Sequence, residues 1–110
     1  MDAEEANQSE QRLINIIKKH KFPFEYVGNK TFTIGSLTPD FVYKNKTLEV
    51  FGRAFHDPKV TFKKEIPLYQ QYKGRMAYFK QYGYKCLILW DNELSNEDIV
   101  ISRIKNYIEE

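Results

Sequence analysis

The chain has 110 residues, 42% hydrophobic and 29% charged, with a net charge of +2. That describes one globular domain with a single core, neither a disordered segment nor a strongly basic polyelectrolyte. Its one cysteine, Cys86, lies in the apolar run Cys86-Leu87-Ile88-Leu89-Trp90, which excludes a disulfide framework and a cysteine-based zinc site.

No stretch approaches the length of a membrane span, and the acidic start Met1-Asp2-Ala3-Glu4-Glu5 has the wrong sign for a secretory leader, so the cytosol is the expected compartment. Ser9-Glu10-Gln11-Arg12 opens the first helix, with Ser9 as the expected cap, Leu13, Ile14, Ile16 and Ile17 as the apolar stripe and Phe22-Pro23 as the stop. Phe24 to Val27 reads as a strand, Gly28-Asn29-Lys30 as a turn and Thr31 to Ile34 as its hairpin partner. After Thr38-Pro39, Asp40 begins a run, Phe41-Val42-Tyr43, that reads as the next strand; Lys44-Asn45-Lys46 is a turn and Thr47 to Phe51 the return strand. Pro58 to Ile66 is a basic loop, and Pro67 starts a second helix running to about Tyr82 and ended by Gly83. Tyr84 to Trp90 is a continuous apolar strand of the kind buried on both faces. Ser95-Asn96-Glu97-Asp98 caps a third helix in which Ile99, Ile101, Ile104 and Ile108 recur near helical spacing. The order α-β-β-β-β-α-β-α predicts an α/β fold, a mixed sheet flanked by helices, because the last strand needs cover on two sides.

Side chains alternate along a strand, so Glu49 shares a face with Thr47 and Phe51 while Leu48 and Val50 share the other. Polar groups thus stand where a core would be apolar. Asp40 and Glu49, on paired strands, are placed to face one cation, and a hard ion such as Mg²⁺ takes one or two carboxylates plus a backbone carbonyl and waters. His56, just past the Glu49 strand, has the ionisation range to accept a proton from an attacking water, and Asp57 is placed to orient it. Lys59, Lys63, Lys64, Lys73, Arg75, Lys80 and Lys85 make a basic middle interleaved with Tyr69, Tyr72, Tyr78 and Tyr82. That pattern suits a phosphate backbone and exposed bases, although on charge pattern alone a solvated lysine-rich surface is the favoured reading.

The spacing from Pro39-Asp40 to Glu49 matches the Pro-Asp…Glu-x-Lys pattern of many nucleases except at its last position, where Phe51 replaces the lysine. With Asp40, Val50, Phe51-Gly52-Arg53-Ala54-Phe55-His56, the helix start Ser9 to Leu13 and the closing segment Gly83 to Leu94, the chain resembles the Vsr-type branch of the PD-(D/E)xK nuclease superfamily. Within it, Glu10, Asp40, His56 and Asp57 look like the Glu-Asp-x-His-Asp set of phage-type homing endonucleases, with Val50 as x. The resemblance implies a restriction-endonuclease-like (Vsr-like) fold over 1–110 and a metal-dependent DNA endonuclease. Asp40 and the Val50 backbone carbonyl then bind Mg²⁺ or Mn²⁺, and Glu10 reaches the site from the first helix. If the parent pattern holds instead, Glu49 binds the ion directly. Double-stranded DNA is the implied partner, with Arg53, Phe55, Lys59, Lys63, Lys64 and Arg75 as its contacts and a separate DNA-reading domain expected in a longer protein. A Vsr-type mismatch-nicking enzyme and an inactive DNA-binding module of the same fold are the alternatives; one Cys and two His do not supply the zinc site of the first.

Overall fold

The computed structural model describes residues 7–29, 32–52 and 72–110. Helix α1 spans Gln8–Lys19 and is capped by Asn7, not by Ser9. The Asn7 side chain accepts the Glu10 N–H at 2.8 Å while Glu10 Oε1 accepts the Asn7 N–H at 3.1 Å, a reciprocal capping box that Asn7 and Glu10 encode by their three-residue spacing. Leu13, Ile16 and Ile17 are its buried stripe. Lys21, at φ 55°, turns the chain out of the helix before Phe22-Pro23, and the Phe22 N–H closes back on the Ile17 carbonyl at 3.0 Å.

Four strands, β1 (Glu25–Tyr26), β2 (Phe41–Tyr43), β3 (Lys46–Phe51) and β4 (Lys85–Trp90), form a sheet in that order. β1–β2 and β2–β3 are antiparallel and β3–β4 is parallel. Among the described residues, 24–27 and 32–34 do not pair as the expected hairpin. β1 pairs with β2 through Tyr26 and Phe41, whose rings meet edge to face at 5.3 Å, while Ile34 bridges Leu37 around Gly35-Ser36. Gly35 takes φ 61°, and this tight turn claims Ile34 locally before it can extend a strand. Lys30 and Thr31 lie outside the described residues.

Every residue of β3 is buried. Leu48 and Val50 join Leu89 in a core built with α1 and with α3 (Glu97–Glu109), whereas Phe51, Cys86 and Ile88 join Phe79 of α2 (Tyr72–Gln81) in a second core. β4 is thus apolar on both faces, as its sequence predicts. Gly83, at φ 83°, ends α2 as expected; the predicted start at Pro67 lies outside the described residues. A 3-10 turn over Asp91–Ser95 leads into α3, whose buried stripe is Val100, Ile104 and Tyr107. Ile99, assigned to the core from its spacing, is 49% exposed. The buried stripe runs one position aside, through Val100, Ile104 and Tyr107, whose ring stacks on Phe24 and whose hydroxyl donates to the buried Thr47 carbonyl at 2.7 Å. The expected helix-flanked mixed sheet is the observed architecture, and among the described residues no helix is long and apolar enough to cross a membrane.

Candidate active site

A cleft of about 440 Å³ opens where the C-terminal ends of parallel β3 and β4 meet the start of α1, and Glu10, Asp40, Glu49, Val50, Arg75 and Asp91 line it. Residues just past the carboxyl ends of parallel strands are where α/β sheets place their ligands. Beyond the Phe41↔Leu48 pair, the next cross-strand links between β2 and β3 run through carboxylates. The Val50 N–H donates to Asp40 Oδ2 at 2.8 Å and the Asp40 N–H to Glu49 Oε2 at 3.1 Å. Two acids therefore hold the strand ends together where the backbone ladder gives way, and Asp40 keeps part of its surface open to the cleft.

Glu49 has no solvent exposure. A charge taken out of water needs a partner, and Arg75 of α2 supplies it, donating from Nε at 3.1 Å and Nη2 at 2.8 Å to Glu49 Oε1 and from Nη2 to the Thr38 carbonyl at 3.0 Å. Glu10 is held at the helix start, its Oε1 accepting from Asn7 N–H and, at 3.2 Å, from the Tyr26 hydroxyl. Burial raises the Asp40 carboxyl well above the usual carboxylate range, with the charges of Glu49 and then Glu10 adding to it and the Val50 N–H partly opposing. Glu49 is pushed up to about 7 by burial, against the pull of Arg75.

Of the residues singled out in the sequence, Glu10, Asp40, Glu49, Val50 and Arg75 converge on this one cleft. Arg75, expected at the DNA surface, has its guanidinium engaged by Glu49 and Thr38 at the cleft wall. His56, Asp57, Arg53, Phe55, Lys59, Lys63 and Lys64 lie outside the described residues. Asp91 was not anticipated, although its place directly after an apolar parallel strand is a usable signal.

Among the described residues no three His, Cys, Asp or Glu side chains form a complete metal ligand set. A magnesium ion does not require one, since it keeps several waters and takes one or two carboxylates. The donor set fits such an ion: the Asp40 and Glu10 carboxyl groups line the same cleft and repel when both are charged. Glu49 fits less well, because both its oxygens already accept protein hydrogen bonds.

Two stability predictions follow from this charge arrangement. Removing Arg75 leaves Glu49 buried without a counter-charge, so Arg75→Ala is expected to cost about 3 to 5 kcal/mol at pH 8 in urea unfolding. The loss should shrink toward pH 5.5, where Glu49 takes up a proton; a cost below about 1 kcal/mol, or one independent of pH, contradicts the buried pair. The second concerns pH. Glu49 binds its proton more tightly folded than unfolded, so the stability this confers is complete below about 4.5 and is lost as pH rises through about 7; Asp40 acts in the same direction. Metal-free Asp40→Asn, which removes one of the repelling charges, is therefore expected to melt above the wild type by a margin that grows from pH 5 to pH 8. Melting curves in chelator show the trend, and a margin that falls with pH refutes it.

No family model and no curated protein matches the chain. Among solved structures, the catalytic domain of homing endonuclease I-Bth0305I superposes with a TM-score of 0.65, covering 93% of this chain and 94% of that one at 18% identity. The chain has the fold of a homing endonuclease catalytic domain.

Proposed function

We propose that the chain is a metal-dependent DNA endonuclease catalytic domain of the homing-endonuclease type. The observation that carries this reading is the convergence of Asp40, Glu10 and the Val50 strand end on one cleft, in a chain whose fold is shared with a homing endonuclease catalytic domain. Asp40, its Oδ2 anchored by the Val50 amide, and the Val50 carbonyl would hold Mg²⁺ or Mn²⁺, with Glu10 acting on it through water. Bound there, the dication supplies electrostatic stabilisation of the scissile phosphate. Glu49 is kept by Arg75 as a structural carboxylate that fixes the Asp40 backbone. His56 accepts the proton of the attacking water, oriented by Asp57, and Arg53, Phe55, Lys59, Lys63 and Lys64 bind the duplex. Recognition of a long target falls to a separate DNA-reading domain.

The test is incubation with supercoiled plasmid at pH 8. Conversion to nicked or linear DNA with Mg²⁺ or Mn²⁺, abolished by chelator, is the expected result. Retarded DNA without any cleavage in either metal would instead indicate a binding module that has lost catalysis.

A further inference from the structure

We propose that Tyr26, given room by Gly28, is a positioning residue that fixes Glu10 in the cleft, a role that rests on the nuclease reading of this site. The Tyr26 hydroxyl donates to Glu10 Oε1 at 3.2 Å, and the Asn7 N–H donates to the same oxygen at 3.1 Å. Two donors on one oxygen set the rotation of the carboxyl group and turn its other oxygen away from them. The capping box alone holds Glu10 to its own helix; Tyr26 ties it to the sheet that carries Asp40.

Steric evidence independent of that hydrogen bond comes from Gly28. A Cβ at Gly28 would stand 2.6 Å from Tyr26 Oη, 2.7 Å from Cε1 and 2.8 Å from Cζ. Any side chain there pushes the end of the ring, and the hydroxyl with it, off its present course. Gly28 is not among the residues with a left-handed φ, so what it supplies is space and not backbone freedom. On its other side the ring meets Phe41 edge to face at 5.3 Å. The phenol is thus wedged between the first turn after β1 and the strand leading from Asp40, aimed at a helix sixteen residues earlier. A phenylalanine at 26 would fill the same space; the hydroxyl adds only the bond to Glu10.

The experiment compares wild type, Tyr26→Phe, Gly28→Ala, Glu10→Ala and the Tyr26→Phe/Glu10→Ala double variant. Mn²⁺ affinity is read on the DNA-free protein from the electron paramagnetic resonance of unbound Mn²⁺, and single-turnover plasmid cleavage is read against Mg²⁺ concentration. Groups that orient metal-site carboxylates are typically worth about 10- to 100-fold in affinity or activity. Tyr26→Phe is expected near the lower figure, with its melting temperature close to wild type and its cleavage partly restored by excess Mg²⁺. Gly28→Ala should shift Mn²⁺ affinity in the same direction. In the Glu10→Ala background Tyr26→Phe should add nothing, because the oxygen it donates to is gone. A Tyr26→Phe protein that binds Mn²⁺ and cleaves like a functioning wild type overturns the proposal alone, as does a loss that persists undiminished without Glu10. A wild type that neither binds Mn²⁺ nor cuts DNA overturns the nuclease reading and this proposal with it.

Discussion

Replacing Asp40 by asparagine is expected to abolish Mg²⁺-dependent cleavage, with a single-turnover rate at least about 10³-fold below wild type. The magnitude follows from the chemistry assigned to the site: a bound dication is worth several kcal/mol of charge stabilisation, and each 1.36 kcal/mol is about tenfold in rate. Asparagine retains an oxygen to accept the Val50 N–H, so the strand ends stay joined and the variant folds. It loses the charge that draws the cation. The same substitution is predicted above to stabilise the metal-free protein at high pH, and the two outcomes together would mark Asp40 as a carboxylate kept for function at the expense of stability. Cleavage by Asp40→Asn at the wild-type rate ends the proposal that this cleft is catalytic.

The second large effect is expected at His56. Phe51, which stands where related patterns carry a lysine, is 3% exposed and has no group that moves a proton. His20, the other histidine, sits at the far end of α1, where its ring meets Glu97 Oε2 at 3.2 Å. We propose His56, which lies outside the described residues, as the group that accepts a proton near neutral pH. General acid–base catalysis is typically worth roughly 10²- to 10⁴-fold, so His56→Ala should slow single-turnover cleavage by that order while DNA affinity, carried by lysines, changes little. Asp57→Asn should cost less, since it disturbs orientation and charge and leaves the proton acceptor in place. A His56→Ala protein that cleaves normally, or that loses activity only by unfolding, makes the histidine structural.

The parts of the site that the sequence displays are those set by short-range pattern. Alternation along 47–51 puts Glu49 with Phe51 and Val50 with Leu48, and the two cores divide along that line. The apolar run ending at Trp90 and the stop at Gly83 are likewise local signals. What alternation cannot supply is the identity of the covering group. Glu49 is buried because Arg75, 26 residues away, neutralises it, and nothing in either residue's neighbourhood announces the pair. The misplaced cap is different in kind. Asn7 and Ser9 are both competent caps, and the glutamate three residues after Asn7 decides between them. At 31–34 the strand propensity is real, yet Gly35-Ser36 closes a turn that takes Ile34 to Leu37, and Phe41 is left to pair with β1. In α3 the residues Val100, Ile104 and Tyr107 were available at helical spacing, but isoleucines drew the stripe one position aside.

Whether Asp40 holds a hard dication at this cleft is decided by an anomalous difference map from crystals of the protein soaked in Mn²⁺. A peak is expected against the Asp40 carboxylate and the Val50 carbonyl, on the side facing Glu10, with Glu49 still paired to Arg75. A map with no peak at Asp40, or a peak seated on Glu49 with Arg75 displaced, contradicts that role for Asp40.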